Sequence, residues 1–183
     1  VHSLGNQDND QVFGPGGSFE ALLELKQRGL LRFIGFSAHN RADSAVHALE
    51  SVGDRIDVIM LAMNAVETHT YGFERKVLPL AKERGIGVIA MKTYGGAPEM
   101  KYERPVPSAL YARERGDHEQ AFRYVLSLPG VASTVIGVYS EDEIDANIEY
   151  ARRFRPLTAD ELAAHVSSGR EAAPRWGERY GPA

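Results

Sequence analysis

Short apolar runs of strand length recur along the chain, and segments with helical spacing of their apolar residues separate them. The apolar runs stand at residues 31–40, 56–63, 87–91 and 133–138, and the helical segments at residues 18–29, 42–49, 77–85, 118–128 and 141–154. Continuous apolar runs are typical of strands covered on both faces, and an intervening helix allows successive strands to run parallel. The pattern therefore predicts an α/β fold built on a parallel sheet.

Turn and cap residues mark the ends of several predicted helices. Ser18 is the expected N-cap of the first helix, and Gly29 is its expected C-cap. A hydroxyl residue three positions before a glutamate, the capping-box pattern, occurs at Ser140 and again at Thr158. We expect the second of these to begin a shorter terminal helix. The chain is accordingly divided into a main unit at residues 1–157 and a terminal helix and tail at residues 158–183.

Three segments lack a periodic pattern. Residues 5–17 are rich in glycine and polar residues and predict a mobile loop. Residues 93–116 are rich in glycine, proline and charge, and predict a long excursion at the edge where the strands end. Beyond Gly169, a tail that contains Trp176 and Tyr180 is expected to be loosely attached.

Composition narrows the class of protein. The 183 residues are fewer than the about 250 of a complete eight-stranded α/β barrel. The chain has no cysteine, which excludes disulfides and thiolate metal sites and favours a cytoplasmic setting. A net charge of -4 without a basic stripe argues against nucleic acid, and no apolar run approaches the roughly 20 residues of a membrane span. Because the chain starts at Val1, we expect it to be a piece of something longer.

Polar residues stand at or just beyond the ends of the predicted strands, where parallel sheets bind their ligands. They are His2, Ser37, His39, Asn64, Lys92 and Gly137. Because the carboxyl ends of parallel strands meet at one edge, we expect these side chains to line one shared mouth.

Metal binding and Schiff-base formation are two alternative kinds of chemistry at these positions. His2, His39 and His69 could bind a metal, but no HxH pair or strand-end aspartate accompanies them, so no metal site is predicted. Lys92 is the right type of nucleophile for a Schiff base, yet no carboxylate is placed to assist it. The glycine pair at residues 95–96 favours phosphate binding after the third strand.

Five stretches carry a resemblance to a known family. They are HSL at residues 2–4, EALLELKQRGLLRFIGFSAHN at 20–40, MNAV at 63–66, VLPLAKERGIGVIAMKTYGG at 77–96 and TVIGVYSEDEIDANI at 134–148. In this order, over about residues 1–150, the chain resembles the C-terminal half of an aldo-keto reductase. The resemblance implies a partial (β/α)8 TIM barrel, about strands 4/5 to 8 with their helices. It also implies an enzyme that reduces aldehydes or ketones by hydride transfer from NADPH or NADH, without a metal.

The resemblance implies roles for individual residues. His2 matches the family's catalytic histidine, which orients and polarises the substrate carbonyl. Ser37 matches the serine that binds the nicotinamide carboxamide, whereas Met60 and Met91 replace a glutamine and an aromatic ring found in many members. The implied cofactor-binding residues are Ser37, His39, Asn64, Met91, Lys92, Gly137, Glu143 and Asn147. The family's catalytic Tyr, Lys and Asp are expected to lie upstream of this chain.

The residues implied to bind the adenosine end of the cofactor do not decide between NADH and NADPH. Asn147 matches an adenine-contacting residue, and Glu143 stands where NADPH-preferring members often carry an arginine. A carboxylate would repel a 2′-phosphate and favour NADH, but the capping box explains Glu143 equally well.

The predicted function is therefore part of a nicotinamide-dependent reductase of small carbonyl compounds. The alternative is a non-catalytic half-barrel that binds a dinucleotide or phosphate, and a metal-dependent barrel hydrolase has little support. For the cofactor site we expect His2, Ser37, Lys92, Gly137 and Asn147 to lie on one face, at the carboxyl ends of the strands.

Overall fold

A computed structural model describes residues 1–96 and 117–183. Within them, four strands form a parallel sheet in sequence order. The strands are β1 (Gly35–Ala38), β2 (Val58–Ala62), β3 (Gly87–Met91) and β4 (Val131–Val135). The α/β class and the parallel sheet are thereby confirmed. All four carboxyl ends lie at one edge of the sheet, called here the carboxyl edge.

Two helices precede β1, and helices follow each of the four strands along the described chain. They are α1 (Asn9–Phe13), α2 (Ser18–Gln27), α3 (Ala42–Val52), α4 (Glu67–Thr70), α5 (Phe73–Lys76), α6 (Leu78–Glu83), α7 (His118–Ser127), α8 (Glu141–Arg152) and α9 (Ala159–Trp176). Gly29 ends the α2 segment as expected, because its φ of 73° is left-handed and the next amide, of Leu30, bonds back to the carbonyl of Leu25. Gly17, rather than Ser18, occupies the N-cap position of α2.

The sheet buries one face more deeply than the other. Phe36, Ile59 and Val88 form a row across β1 to β3, are at most 5% exposed, and belong to the main core. The neighbouring row of Ser37, Met60 and Ile89 is only half-buried. Because successive side chains point to opposite faces, the described helices cover one face of the strands. The expectation that β2 is covered on both faces is therefore wrong for the described residues.

Two predicted boundaries differ from the structure. The segment at residues 5–17, predicted as a loop, contains most of a 3-10 turn at Leu4–Asn6 and all of α1, whose first turn is capped by the carboxylate of Asp8. Strand β4 begins two residues earlier than predicted, because its register is set by pairing with β3 and includes an irregularity at Val88 and Ile89. Most of the predicted excursion at residues 93–116 lies outside the described residues.

The C-terminal segment is firmly attached, which corrects the prediction of a short helix and a loose tail. Helix α9 has 18 residues and begins at a complete capping box formed by Thr158 and Glu161. A methyl group on Gly169 would lie 1.9 Å from the carbonyl oxygen of Ala65, so this glycine allows α9 to lie against the loop after β2. Trp176, at the end of α9, is only 8% exposed. The prediction of a loose tail is wrong because the residues that hold the tail are distant from it in sequence.

A buried arginine joins α7 to the start of α9. Arg123 is 6% exposed and donates to both carboxylate oxygens of Glu161 and to the carbonyls of Arg155 and Pro156. The predicted division at residue 157 stays a prediction. Across the described ranges, no helix combines the length and apolarity needed to cross a bilayer.

Candidate functional site

The first three residues lie alongside β1. The ammonium group of Val1 donates to the carbonyl of Gly35 at 2.5 Å, and the amide of Ser37 donates to the carbonyl of Val1 at 2.9 Å. The amide of Ser3 then donates to the hydroxyl oxygen of Ser37 at 2.9 Å. These bonds hold the intervening His2 beside Ser37, although residues 1–3 do not form a regular strand. Among the described residues, the hydroxyl of Ser37 accepts the bond from Ser3 and has no acceptor of its own, so it can donate to a ligand.

A row of aromatic rings crosses the carboxyl edge. The ring of His39 lies 6.4 Å from that of His2 and 6.0 Å from that of Tyr180, which stacks on Tyr71 at 5.9 Å. Burial, followed by the charges of Lys92 and His2, lowers the pKa of His39 to about 4. His39 is therefore neutral at pH 7 and offers one donor and one acceptor without adding a charge.

The ends of β2 and β3 are tied together by Asn64. Its amide nitrogen donates to the carbonyl of Lys92 at 3.0 Å, and its amide oxygen accepts the amides of Val66 and Glu67, each at 3.0 Å. Asn64 is 1% exposed, so its side chain holds the backbone at this edge. Met91, immediately before Lys92, is 8% exposed.

The C-terminal tail closes over the carboxyl edge. The hydroxyl of Tyr180 and the guanidinium of Arg179 both donate to the carbonyl of Gly95, at 2.9 and 3.3 Å. Tyr71 accepts the amide of Tyr180 and donates to the carbonyl of Gly181, at 2.9 and 3.0 Å. We call the group of His2, Ser37, His39, Lys92 and Tyr180 the rim cluster.

A buried carboxylate lies beneath this tail. Glu67 is 1% exposed, and neither of its carboxylate oxygens has a hydrogen-bond partner among the described residues. Burial raises the pKa of Glu67 to about 7, against the opposing charge of Arg179 and with a contribution from Glu74. The pKa of Tyr180 is also raised, chiefly by burial and then by Glu67.

A second site, called here the edge pocket, opens between the end of β3 and α8. Its cavity of about 220 Å³ is lined by Tyr94, His118, Gly137, Asp142, Glu143, Ala146, Asn147 and Tyr150. The volume is below the ~300 to 1,000 Å³ of pockets that enclose a drug-sized ligand, so it suits one ring system. The ring of His118 meets that of Tyr94 edge-on at 5.0 Å, and burial lowers the pKa of His118. A neutral imidazole therefore faces this cavity near pH 7.

The polar groups of the edge pocket are partly engaged with one another. Tyr94 donates its hydroxyl to the amide oxygen of Asn147, whose nitrogen donates to the carbonyl of Glu143 at 2.7 Å. The carboxylate of Glu143 accepts the amide of Tyr139 at 2.8 Å, while the hydroxyl of Ser140 accepts the amide of Glu143 at 3.2 Å. The predicted N-cap at Ser140 is confirmed, but Glu143 does not complete the predicted capping box, because its carboxylate binds the amide of Tyr139 rather than that of Ser140. A ligand that contacts Asn147 must compete with the hydroxyl of Tyr94.

The expected site residues thus fall into two groups along one edge. His2, Ser37 and Lys92 belong to the rim cluster, and Gly137 and Asn147 belong to the edge pocket. Tyr94 and Gly95 are adjacent in the chain and connect the two groups. Tyr94 lines the edge pocket, and the carbonyl of Gly95 accepts the hydroxyl of Tyr180 in the rim cluster. Among the described residues, no group of three or more His, Cys, Asp or Glu is arranged to hold a metal.

Sequence reasoning missed several residues that line these sites. Tyr180 lies in the tail predicted to be loose, and His118 begins the segment predicted only as a helix at residues 118–128. The sequence signal for Tyr94 is its position between a strand end and the glycine pair at residues 95–96. Tyr180 lies between glycines in GERYGP, a weak signal for an anchored tail.

Comparison with known proteins was made for sequence and for fold. The aldo/keto reductase family model matches residues 16–109, just over half of the chain. None of the curated proteins matches it. Two solved structures are similar: aldo-keto reductase AKR11C1 from Bacillus halodurans in its apo form, at 24% identity, and in its holo form, at 23%. Each has a TM-score of 0.58 over 82% of this chain, which spans 55% and 54% of their lengths. By the family-model match, this chain belongs to the aldo/keto reductase family.

Proposed function

We propose that this chain binds NADH along the carboxyl edge of its sheet, as part of an enzyme that reduces small aldehydes or ketones. The observation that carries the proposal is the arrangement of the two sites. The rim cluster lies at the end of β1, the edge pocket lies beyond β3 and β4, and both lie on one edge. An extended dinucleotide needs two such sites, one for each of its ring systems. We also propose a cytoplasmic setting, which rests on the cysteine-free composition.

At the rim cluster, we assign the nicotinamide end to Ser37 and the substrate carbonyl to His2. When bound, the dihydronicotinamide supplies the hydride for carbonyl reduction. The hydroxyl of Ser37 retains its donor for the carboxamide oxygen. The imidazole of His2 would orient and polarise the carbonyl oxygen. The ring of His39 lies beside His2 and is neutral, so it adds no positive charge that would compete for that oxygen. Met60, next to Ser37 in the sheet register, would form an apolar floor.

At the edge pocket, we assign the adenosine end to Asn147, Tyr94 and Gly137. A Cβ atom added to Gly137 would have no atom within 4 Å, so there is open space beside this residue. Tyr94 offers a ring face or edge to a heterocycle, and the amide of Asn147 offers hydrogen bonds once Tyr94 turns aside.

The charges of the edge pocket favour NADH over NADPH. Asp142 and Glu143 line it, and the described lining residues include no lysine or arginine. The nearby Arg153 is paired with Glu119 through two hydrogen bonds, at 2.8 and 3.0 Å. A 2′-phosphate would therefore face two carboxylates, with no cation among the described lining residues, whereas a 2′-hydroxyl can donate to them.

The proton required by the carbonyl oxygen is assigned to groups outside residues 1–183. Burial raises the pKa of Tyr71, Tyr94 and Tyr180, which makes each a weaker acid. We propose that the family's catalytic Tyr, Lys and Asp come from upstream residues. The raised pKa values of these three tyrosines also support a second candidate, a half-barrel that binds the dinucleotide without catalysis. NADH oxidation by the purified chain with an aldehyde, at an enzymic rate, would refute that second candidate.

Cofactor choice is tested by titrating the chain with NADH and NADPH. Energy transfer from Trp176, the single tryptophan, to the dihydronicotinamide reports binding. We expect NADH to bind about 2- to 30-fold more tightly, since each of the two like-charge contacts near a surface costs about 0.2 to 1 kcal/mol. Glu143→Gln keeps the acceptor for the amide of Tyr139 but removes the negative charge. The variant should therefore reduce the ratio of the Kd for NADPH to the Kd for NADH.

A matched control is Asp145→Asn, which removes an exposed charge of α8 outside the pocket lining and should leave the preference unchanged. Asn147→Ala should weaken both cofactors alike, by about 0.5 to 1.5 kcal/mol for one lost hydrogen bond. Equal affinities of the wild-type chain for both cofactors would contradict the NADH assignment. Absence of binding by either would contradict the proposed function itself.

A further inference from the structure

Tyr94 fills part of the edge pocket with its own side chain. It is 5% exposed, and its hydroxyl donates to the amide oxygen of Asn147, to which we assign the adenosine. The ring of Tyr94 packs with Ala121 and Phe122 of α7 and meets the ring of His118 edge-on. A ligand that reaches Asn147 must displace Tyr94, and close packing of this kind leaves the ring little room to rotate by itself.

Two consecutive glycines give the backbone after Tyr94 the freedom to turn. Gly95 and Gly96 are both left-handed, with φ of 88° and 69°. The amide of Gly95 closes a turn onto the carbonyl of Lys92 at 2.7 Å. Because glycine moves between backbone regions at little steric cost, displacement of Tyr94 is accommodated most easily by rotation at residues 94–96. Such a rotation redirects the carbonyl of Gly95.

The C-terminal tail holds this carbonyl in place. The hydroxyl of Tyr180 and the guanidinium of Arg179 both donate to the carbonyl of Gly95, at 2.9 and 3.3 Å. The ring of Trp176 lies directly against Gly95, since a methyl group there would overlap it. Two hydrogen bonds and a ring contact therefore resist rotation of Gly95, and through it the exit of Tyr94 from the edge pocket.

The tail is itself anchored away from the edge pocket. The amide of Tyr180 donates to the hydroxyl of Tyr71, which donates to the carbonyl of Gly181, at 2.9 and 3.0 Å. The amide of Arg41 donates to the carbonyl of Pro182 at 3.3 Å. The described lining of the edge pocket includes none of these tail residues. An effect of the tail on a ligand in that pocket therefore passes through the segment at residues 94–96.

We propose that the tail is an autoinhibitory latch: it grips the carbonyl of Gly95, holds Tyr94 in the edge pocket and opposes the binding of a nucleoside at Asn147. The identity of the ligand as an adenine nucleoside rests on the proposed function. Tyr180 is a positioning residue in this latch, because it acts on the pocket through Tyr94. The coupling is reciprocal, so a nucleoside that displaces Tyr94 weakens the grip of the tail to the same extent.

Adenosine binding, measured by calorimetry, tests the latch. Tyr180→Phe removes one donor to Gly95 but keeps the ring that stacks on Tyr71, and it should bind adenosine about 2- to 10-fold more tightly than the wild type. Tyr94→Phe releases the amide of Asn147 and should have a similar effect. A merely structural role would weaken binding, so a gain in affinity identifies the latch.

Tyr139→Phe is the matched control, because it removes a hydroxyl from an exposed tyrosine outside the described lining of the edge pocket. Its adenosine affinity should equal that of the wild type. In a double-mutant cycle, the gain from Tyr180→Phe should be smaller once residue 94 is phenylalanine. Unchanged or weaker adenosine binding in Tyr180→Phe would overturn the latch. Equal gains in both backgrounds would also overturn it, since the tail would then act by another route.

Amide hydrogen exchange tests the latch without a ligand. The amides of Tyr180 and Gly181 are bonded to the hydroxyl of Tyr71 and to the carbonyl of Glu178. By reciprocity, Tyr94→Phe should speed their exchange about 2- to 10-fold relative to both the wild type and the control.

The two measurements separate the latch from the proposed function. Faster exchange in Tyr94→Phe, with adenosine binding by no variant, would support the latch and overturn the proposed function of the edge pocket. Exchange at the wild-type rate in Tyr94→Phe, with adenosine bound by the wild type, would overturn the latch and leave the proposed function supported.

Discussion

Glu67 should make this protein less stable as pH rises from acid to neutral. Its carboxyl group is 1% exposed, and burial raises its pKa from an unfolded value of 4.5 to about 7. Because the folded state binds the proton more tightly, the unfolded state ionises first on raising the pH, and unfolding is favoured. The penalty is absent below about pH 4.5, grows between the two pKa values and is complete above about pH 7.

The size of this penalty follows from the shift in pKa. One unit corresponds to about 1.4 kcal/mol, so the buried carboxylate costs about 3 kcal/mol above pH 7. Glu67→Gln replaces the group with a neutral one of nearly the same shape. The variant should match the wild type near pH 4.5 and exceed its free energy of unfolding by about 3 kcal/mol at pH 8. This increment is a large fraction of the stability of an ordinary domain.

Urea unfolding at intervals from pH 4.5 to pH 8, followed by far-UV circular dichroism, measures the difference. The difference between variant and wild type reports Glu67 together with its coupling to Glu74, whose pKa burial raises to about 7, because the other carboxyl groups titrate alike in both proteins. Glu24→Gln is the control, since Glu24 is exposed on α2 and should leave the pH dependence unchanged. If the free energy of unfolding changed with pH by the same amount in Glu67→Gln and in the wild type, the reasoning would be refuted. That result would mean that the carboxylate is stabilised in the folded state.

Two further substitutions test how the C-terminal segment is held. Gly95→Ala should lower the free energy of unfolding by about 1 to 3 kcal/mol and shift the emission of Trp176, because the new methyl group would lie 2.2 Å from its ring at a φ of 88°. An unchanged emission spectrum would show that the ring does not pack there. Arg123→Met should lower the free energy of unfolding in urea by about 1 to 3 kcal/mol, since it removes the donor to Glu161 and leaves the carbonyls of Arg155 and Pro156 without that buried partner. A loss below 1 kcal/mol would show that packing, rather than charge, joins α7 to α9.

Local signals in the sequence predicted most of the sheet. Strand β3 has the predicted bounds, Gly87–Met91, and the predicted helices coincide with α2, α3, α6, α7 and α8 to within a few residues. These elements are recognisable because apolar spacing and cap residues act within one or two turns of chain. The cap at Ser140 is such a case, with its hydroxyl accepting the amide three residues on.

Long-range contacts were beyond the reach of such signals. Tyr180 is anchored by Tyr71, which is 109 residues away in sequence, and no periodic pattern joins the two. The half-buried row at Ser37 and Met60 is also a tertiary property, because which face of a strand is covered depends on elements elsewhere in the chain. For the same reason the sequence indicated which polar residues follow the strands but not their separation into a rim cluster and an edge pocket.

The distribution of left-handed residues adds a physical reason to place function at the carboxyl edge. At the opposite edge, the turns that lead into β1, β3 and β4 contain left-handed residues that are all glycine, at positions 29, 85 and 130. In the described chain, left-handed residues other than glycine are Ser3, Arg41 and Lys92, and all three lie beside or just after the carboxyl ends of β1 and β3. Glycine would relieve the strain at each of these positions without removing a backbone hydrogen bond. Left-handed glycines also occur at the carboxyl edge, at positions 95 and 96, so what distinguishes this edge in the described chain is that Ser3 and Lys92 keep side chains in strained conformations beside Ser37 and His39.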